Sequence, residues 1–86
     1  MTPGGFLRRL RSGKQVNCVY SAGELTGLIS AWPHGAGFVL TWEECRRGDQ
    51  YDEHAYTRDE RHQFEAAEGV LTFVERAGHP ASAFGP

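Results

Sequence analysis

Residues 25–42 read LTGLISAWPHGAGFVLTW and decide the fold of this chain. Apolar, β-branched and aromatic residues dominate both ends of the stretch, and residues 33–37, rich in Pro and Gly, separate them. Two such runs joined by a few turn-forming residues are typical of a β-hairpin. The stretch therefore predicts strands at 25–32 and 38–42, joined by a loop of about five residues.

Side-chain alternation assigns the two faces of these strands. Phe38, Leu40 and Trp42 recur at every second position, so they share one face, which is expected to line the core. In the preceding strand, Leu28 and Ile29 point to opposite faces and both are apolar. This pattern predicts a central strand that is covered on both sides, or a face that another chain covers.

The elements on either side of the hairpin follow from their own periodicity. Residues 15–20 alternate as a strand does. Residues 65–77 place apolar groups at helical spacing, with Gly78 ready to cap the end and Gly69 marking a close approach to the sheet. Residues 1–14 predict a short helix that must dock its apolar side chains to persist.

The polar segment 43–63 leaves two interpretations open. In one, residues 46–49 form a turn, 52–57 a polar strand, 58–60 a second turn and 61–64 a last strand. In the other, the segment is one long acidic loop, which is unusual within a compact domain.

The resulting prediction is a single α+β domain over residues 1–86. Its sheet has three to four antiparallel strands, with one C-terminal helix packed on one face, a short N-terminal helix within residues 1–14 and a tail at 79–86. The expected core residues are Val16, Cys18, Ile29, Phe38, Leu40, Trp42, Phe64, Val70, Leu71 and Val74.

Charge is distributed unevenly along the chain. The formal net charge is -2, but residues 1–14 carry four basic side chains and no acid, whereas the remaining 72 residues carry five basic and eleven acidic ones. The N-terminal segment is thus a basic arm on an acidic body. Such an arm either folds onto its own domain or contacts an anionic partner.

Cysteine usage and hydropathy bear on the compartment. Cys18 and Cys45 are widely spaced, and no signal peptide precedes them, which predicts reduced thiols in a cytoplasmic protein. A single bridge stays open if their strands are neighbours. No stretch approaches the roughly 18 apolar residues of a membrane span, so no membrane partner is expected.

No complete catalytic or metal-binding motif is present in the sequence. Cys45, His54 and His62 are nine and eight residues apart, which matches no zinc pattern. Adjacent acids such as Glu43 and Glu44 would point to opposite faces of a strand, so they do not form a catalytic pair. We therefore expect no enzyme activity, no metal, no cofactor and no small-molecule substrate.

These features favour a non-enzymatic interaction or regulatory module, such as an inhibitor, an accessory subunit or a homodimer, that binds another protein or itself. The alternative is nucleic-acid binding through the basic arm, with Tyr20, Trp32, Trp42 and Tyr56 as stacking platforms on the sheet. The residues expected to contact a partner are Arg8, Arg9, Arg11, Lys14, Trp32, His54 and Tyr56.

Overall fold

The computed structural model describes residues 1–49 and 52–86, and of Glu53 only the backbone. Four strands form one antiparallel sheet in the order β1-β2-β3-β4, and two helices lie on the same face of it. The predicted α+β fold, with four strands, is confirmed. The elements in chain order are α1 (Pro3–Arg11), β1 (Val16–Ala22), β2 (Leu25–His34), β3 (Gly37–Arg46), a 3-10 turn (Glu53–Ala55), β4 (Tyr56–Phe64), α2 (Ala67–Arg76) and a second 3-10 turn (Ala81–Ala83).

Two-residue turns join the first three strands. Gly23 and Gly35 open these turns with φ of 62° and 59°, which places a glycine where the backbone turns left-handed. The five-residue loop predicted for the β2–β3 hairpin is therefore wrong. Pro33 and His34 continue β2 to its end, and Pro33 lies one residue from that end, where a missing donor is tolerated.

The polar segment contributes one strand, β4, that pairs with β3, in place of the two short strands predicted at 52–57 and 61–64; residues 53–55 form a 3-10 turn before it. β4 runs unbroken over Tyr56–Phe64, so the predicted turn at 58–60 and the alternative of one acidic loop are both wrong. Arg58, Glu60 and His62 alternate with more exposed residues and interact with one another on the helix side of the strand. Mutual pairing lets a charged strand occupy a half-buried face.

The basic arm is helix α1, and it lies against its own domain. Thr2 caps the helix by accepting a hydrogen bond from the Gly5 N–H at 3.0 Å, and Pro3 occupies the first turn. Phe6 and Leu10 are fully buried against α2 and the β1–β2 side of the sheet. Of the two placements considered for the arm, the structure has it docked, with its charges outward.

Helix α2 crosses the β3–β4 side of the sheet and begins two residues later than predicted. Gly69 lies close to the sheet, as expected: a Cβ there would sit 3.2 Å from the Phe64 ring. At the other end, Gly78 has φ of 91° and its N–H bonds to the Glu75 carbonyl at 3.0 Å. The His79 N–H returns to the carbonyl four residues before Gly78 at 2.8 Å, which completes a Schellman cap.

The core fills the space between the helices and one face of the sheet. Eight of the ten predicted core residues are buried, while Phe38 and Phe64 are half-buried at the end of the sheet where the β2–β3 turn lies. The buried apolar residues of the described chain that the prediction omitted are Phe6, Leu10, Ala31, Val39, Cys45, Ala67, Ala81 and Phe84.

The tail is fixed to the domain at two points. Phe84 is buried and meets Phe6 edge-to-face, with ring centroids 5.2 Å apart. Gly85 exchanges two backbone hydrogen bonds of 2.8 Å with Asn17. The tail therefore covers part of the outer edge of β1.

The two cysteines lie on opposite faces of the sheet. Cys18 pairs with Ile29 on the helix-covered face, and burial raises the pKa of its thiol. Cys45 pairs with Thr26 on the other face, and both thiols are free. Within the described residues, neither helix has the length or the apolar character to cross a membrane.

Candidate interaction surface

The predicted basic residues come together on α1. Arg8, Arg9, Arg11 and Lys14 line one shallow surface on the outside of the helix and its C-terminal turn. Arg11 forms an ion pair with Glu68 of α2, and the Arg9 Nε donates to the Gln15 carbonyl at 2.7 Å. Two of the four cations are thus engaged within the domain.

The other predicted contact residues do not join this cluster. Trp32 is half-buried near the end of β2. Tyr56 begins β4 at the opposite end of the sheet, where it lies opposite Cys45 of β3, and Cys45 in turn lies opposite Thr26 of β2. Thr26 and Trp32 are six positions apart along β2, which corresponds to about 20 Å. His54 is exposed in the 3-10 turn before β4.

Cys45, His54 and His62, whose spacing matches no zinc pattern, do not come together in the structure. His62 faces α2, with its ring 4.7 Å from that of Phe73, whereas Cys45 lies on the other face of the sheet. His54 stands apart from both in its exposed turn.

Within the residues that the structure describes, one face of the sheet has no helix on it, and we call it the open face. The strand register groups the side chains of the open face into rows that run across the four strands. One row contains Val19, Leu28, Glu43 and Asp59. Val19 is 76% exposed and Leu28 38%, and these are the two large hydrophobic side chains that stand out as exposed in the described chain. The apolar groups seen on both sides of β2 in the sequence thus face the core on one side and this surface on the other.

A shallow apolar depression lies on the open face beside Val19 and Leu28. Its volume is about 240 Å³, and Val19, Leu28, Cys45 and Tyr56 contribute to its lining. Glu43 also lines the depression, and Asp59 lies directly opposite it on β4. The open face therefore combines an apolar depression with two neighbouring carboxylates.

The covered face carries a polar cluster at the same end of the sheet. Tyr20 of β1 lies across Gly27 of β2, and its hydroxyl donates to the Glu44 carboxylate of β3. The Trp42 Nε1–H donates to the Tyr20 hydroxyl oxygen at 2.9 Å. Burial and the bond to Glu44 raise the pKa of the Tyr20 hydroxyl. A ring that reaches over a glycine thus connects three strands.

Strand β4 continues this cluster with charged groups. The Arg58 guanidinium lies 3.6 Å from the centre of the Trp42 ring and also pairs with Glu60. The His62 Nε2 donates to the other oxygen of Glu60 at 2.8 Å. These hydrogen bonds, from His62 and then from Arg58, lower the pKa of Glu60.

His79 closes the cluster from above. The Schellman cap of α2 sets its backbone, and its ring lies 4.6 Å from that of Tyr20 and 5.2 Å from that of Trp42. Burial, and then the positive charge of Arg58, lowers the pKa of His79.

The polar cluster is internally satisfied, which points to a structural role. In the described part of the chain, every buried side-chain nitrogen and oxygen has a hydrogen-bond partner. Trp42 is 2% exposed and Tyr20 is held on the covered face, so neither offers a free ring for a base to stack on. The sequence did not indicate this cluster, because its members come from four separate elements.

No protein-family model matches this sequence, and searches of curated proteins and of solved structures likewise returned no match.

Proposed function

We propose that this protein is a non-enzymatic interaction module that binds another polypeptide on the open face of its sheet. The observation that carries the proposal is the exposure of Val19 beside Leu28 on a face without a helix. A cross-strand aliphatic pair in water is a local cost for a small domain, and its burial against a partner is favourable by about 25 cal/mol per Å² of apolar surface.

The supporting geometry is the depression beside this pair. Its apolar lining can receive a side chain, and the polar groups around it can orient the backbone or side chains of a partner. The strands that carry the depression are paired by hydrogen bonds in one continuous sheet, so this surface is preformed. A preformed surface loses little entropy on binding.

The test removes the aliphatic pair without disturbing the strands. The variant Val19→Thr with Leu28→Thr puts threonine, a β-branched residue that favours strands, at both positions. The matched control is Gln63→Thr, which lies exposed on the same face at its other end. Circular dichroism and thermal melting establish that all forms fold.

The readout is the set of polypeptides retained by the tagged chain, including a second, differently tagged copy. We expect a binding partner that the wild type and Gln63→Thr retain and the double variant loses. Retention of the same partner by all three forms would place binding elsewhere. A wild type that stays monomeric and retains nothing specific would overturn the proposal.

The clustering of Arg8, Arg9 and Lys14 on one surface favours a second candidate, the binding of a nucleic-acid backbone. The test is a mobility shift of a single-stranded oligonucleotide at low salt, repeated with all three residues changed to Ala. A shift that weakens with salt and disappears in the variant is expected. Absence of any shift by the wild type would remove this candidate.

A further inference from the structure

We infer that the open face binds a polypeptide segment that carries a Lys or Arg next to an aliphatic side chain. The inference rests on the proposed function and adds the chemistry of the partner. The aliphatic side chain would enter the depression beside Val19 and Leu28, and the cation would meet Glu43 and Asp59.

The placement of the two carboxylates carries the charge part of the inference. Glu43 and Asp59 are directly opposite each other on β3 and β4, and like charges in that position destabilise a sheet. Within the described chain neither carboxylate forms an ion pair or a side-chain hydrogen bond, although Arg61 lies two residues from Asp59. A cation from outside would relieve this repulsion, which adds a favourable term that exists only in the complex.

The register carries the second part, because it puts charge and apolar surface side by side. Leu28 pairs directly with Glu43, so the aliphatic pair and the carboxylates form one continuous row across the four strands. Neighbouring strands are about 4.8 Å apart, so the aliphatic and acidic halves of the row lie within about 10 Å of each other. Side chains one or two residues apart in a bound segment span that distance.

A second copy of this chain fits the face less well. Arg61 is the one Lys or Arg that the described strands present on the open face, against the two carboxylates of Glu43 and Asp59. Two copies meeting face to face would therefore bring together surfaces of the same net sign. A partner with the opposite charge is favoured.

The experiment selects a random library of twelve-residue peptides on the immobilised full chain. The affinities of the enriched peptides are then measured against four proteins: the wild type, Glu43→Gln with Asp59→Asn, Val19→Thr with Leu28→Thr, and the control Glu65→Gln with Glu75→Gln. The control removes two exposed acids away from the open face and so matches the change in net charge. Sedimentation of each protein alone reports self-association.

We expect enriched peptides with Lys or Arg within two residues of Leu, Ile or Val. Their affinity should fall about 5- to 10-fold in the carboxamide variant and at least as much in the threonine variant, while the control stays close to the wild type. The affinity for the wild type should also fall as salt rises from 50 to 500 mM, and that of the carboxamide variant should fall less.

The other outcomes separate this inference from the proposed function. If the enriched peptides are uncharged or acidic and only the threonine variant fails to bind them, the inference is overturned and the proposed function stays in place. The same holds if the chain forms a dimer that only the threonine variant disrupts. Peptides that bind all four proteins equally would overturn both. Failure to enrich any peptide would overturn the inference.

Discussion

Replacing Gly27 with Ala should destabilise the protein, although alanine is the better strand residue. Tyr20 is the cross-strand neighbour of Gly27, and its ring lies over the glycine, where a methyl group would overlap the ring carbons and the hydroxyl. The ring is the movable party, so it would swing away from Glu44 and Trp42. The cost is then the loss of the two hydrogen bonds that its hydroxyl makes.

The magnitude follows from those two bonds. A neutral hydrogen bond contributes about 1 kcal/mol and one to a charged group about 1.5–3 kcal/mol, so their loss costs about 2.5–4 kcal/mol. Alanine in place of a strand glycine returns about 0.5–1 kcal/mol. The expected net loss is about 1.5–3.5 kcal/mol. Its mid-value, about 2.5 kcal/mol, lowers Tm by about 10–20 °C for a domain of this size.

Urea denaturation followed by circular dichroism and tryptophan fluorescence measures the effect, with a double-mutant cycle to locate it. In a Tyr20→Ala background the ring is absent, so Gly27→Ala should be neutral or stabilising. The control Gly85→Ala, where a methyl group meets open space, should change the free energy of unfolding by less than about 0.5 kcal/mol. If Gly27→Ala costs as much with the ring absent as with it present, the reasoning is refuted.

Three further perturbations test other parts of the fold. Burial lowers the pKa of His79, so the folded state binds this proton less readily than the unfolded state, and the free energy of unfolding should fall as pH drops below about 6.5. His79→Gln should flatten this fall between pH 7.5 and 5.5, whereas the control His54→Gln should not. Parallel slopes for all three proteins would contradict the prediction. Hydrogen bonds lower the pKa of Glu60, so its carboxylate stabilises the folded state above about pH 4.3, and this stabilisation is lost as pH falls through the lowered pKa. The urea midpoints of the wild type and Glu60→Gln should therefore converge in acid. A constant gap between them down to pH 2.5 would rule this out. Phe84→Ala should lower the free energy of unfolding by about 3 kcal/mol because it empties a buried site, whereas Ser82→Ala, at an exposed position, should have little effect. Equal urea midpoints for the two variants would show that the tail does not belong to the core.

Period-two and helical patterns were enough to predict β1, β2, β3 and α2, because each of these elements buries a continuous apolar stripe. The same patterns could not place the ends of β2 and β3, since Pro33 and Gly37 resemble loop residues until the register shows them paired with Phe38 and His34. β4 was misread for a related reason. Its covered face is charged, and Arg58 is acceptable there only because the Trp42 ring on β3 and the Glu60 carboxylate on β4 contact it.

The candidate surface was partly visible in the sequence. Apolar residues on both sides of β2 predicted either a strand covered on both faces or a face that another chain covers. The structure places Leu28, 38% exposed, on the open face. The acidic half of the row was not predictable, because Glu43 and Asp59 are sixteen positions apart and only the β3–β4 register makes them neighbours. The basic residues of α1 were visible at once, but their docking depends on Phe6 and Leu10.

The two outer strands of the sheet differ in how they resist unwanted pairing. β4 carries charged side chains of both signs at its centre, from Arg58 to Arg61, which discourages a foreign strand from adding to it. β1, with the sequence VNCVYSA, has no charged residue, and the hydrogen bonds between Asn17 and Gly85 occupy only part of its rim. Polymerisation through strand addition would therefore start at β1, and loosening the tail at Phe84 would lengthen the exposed template.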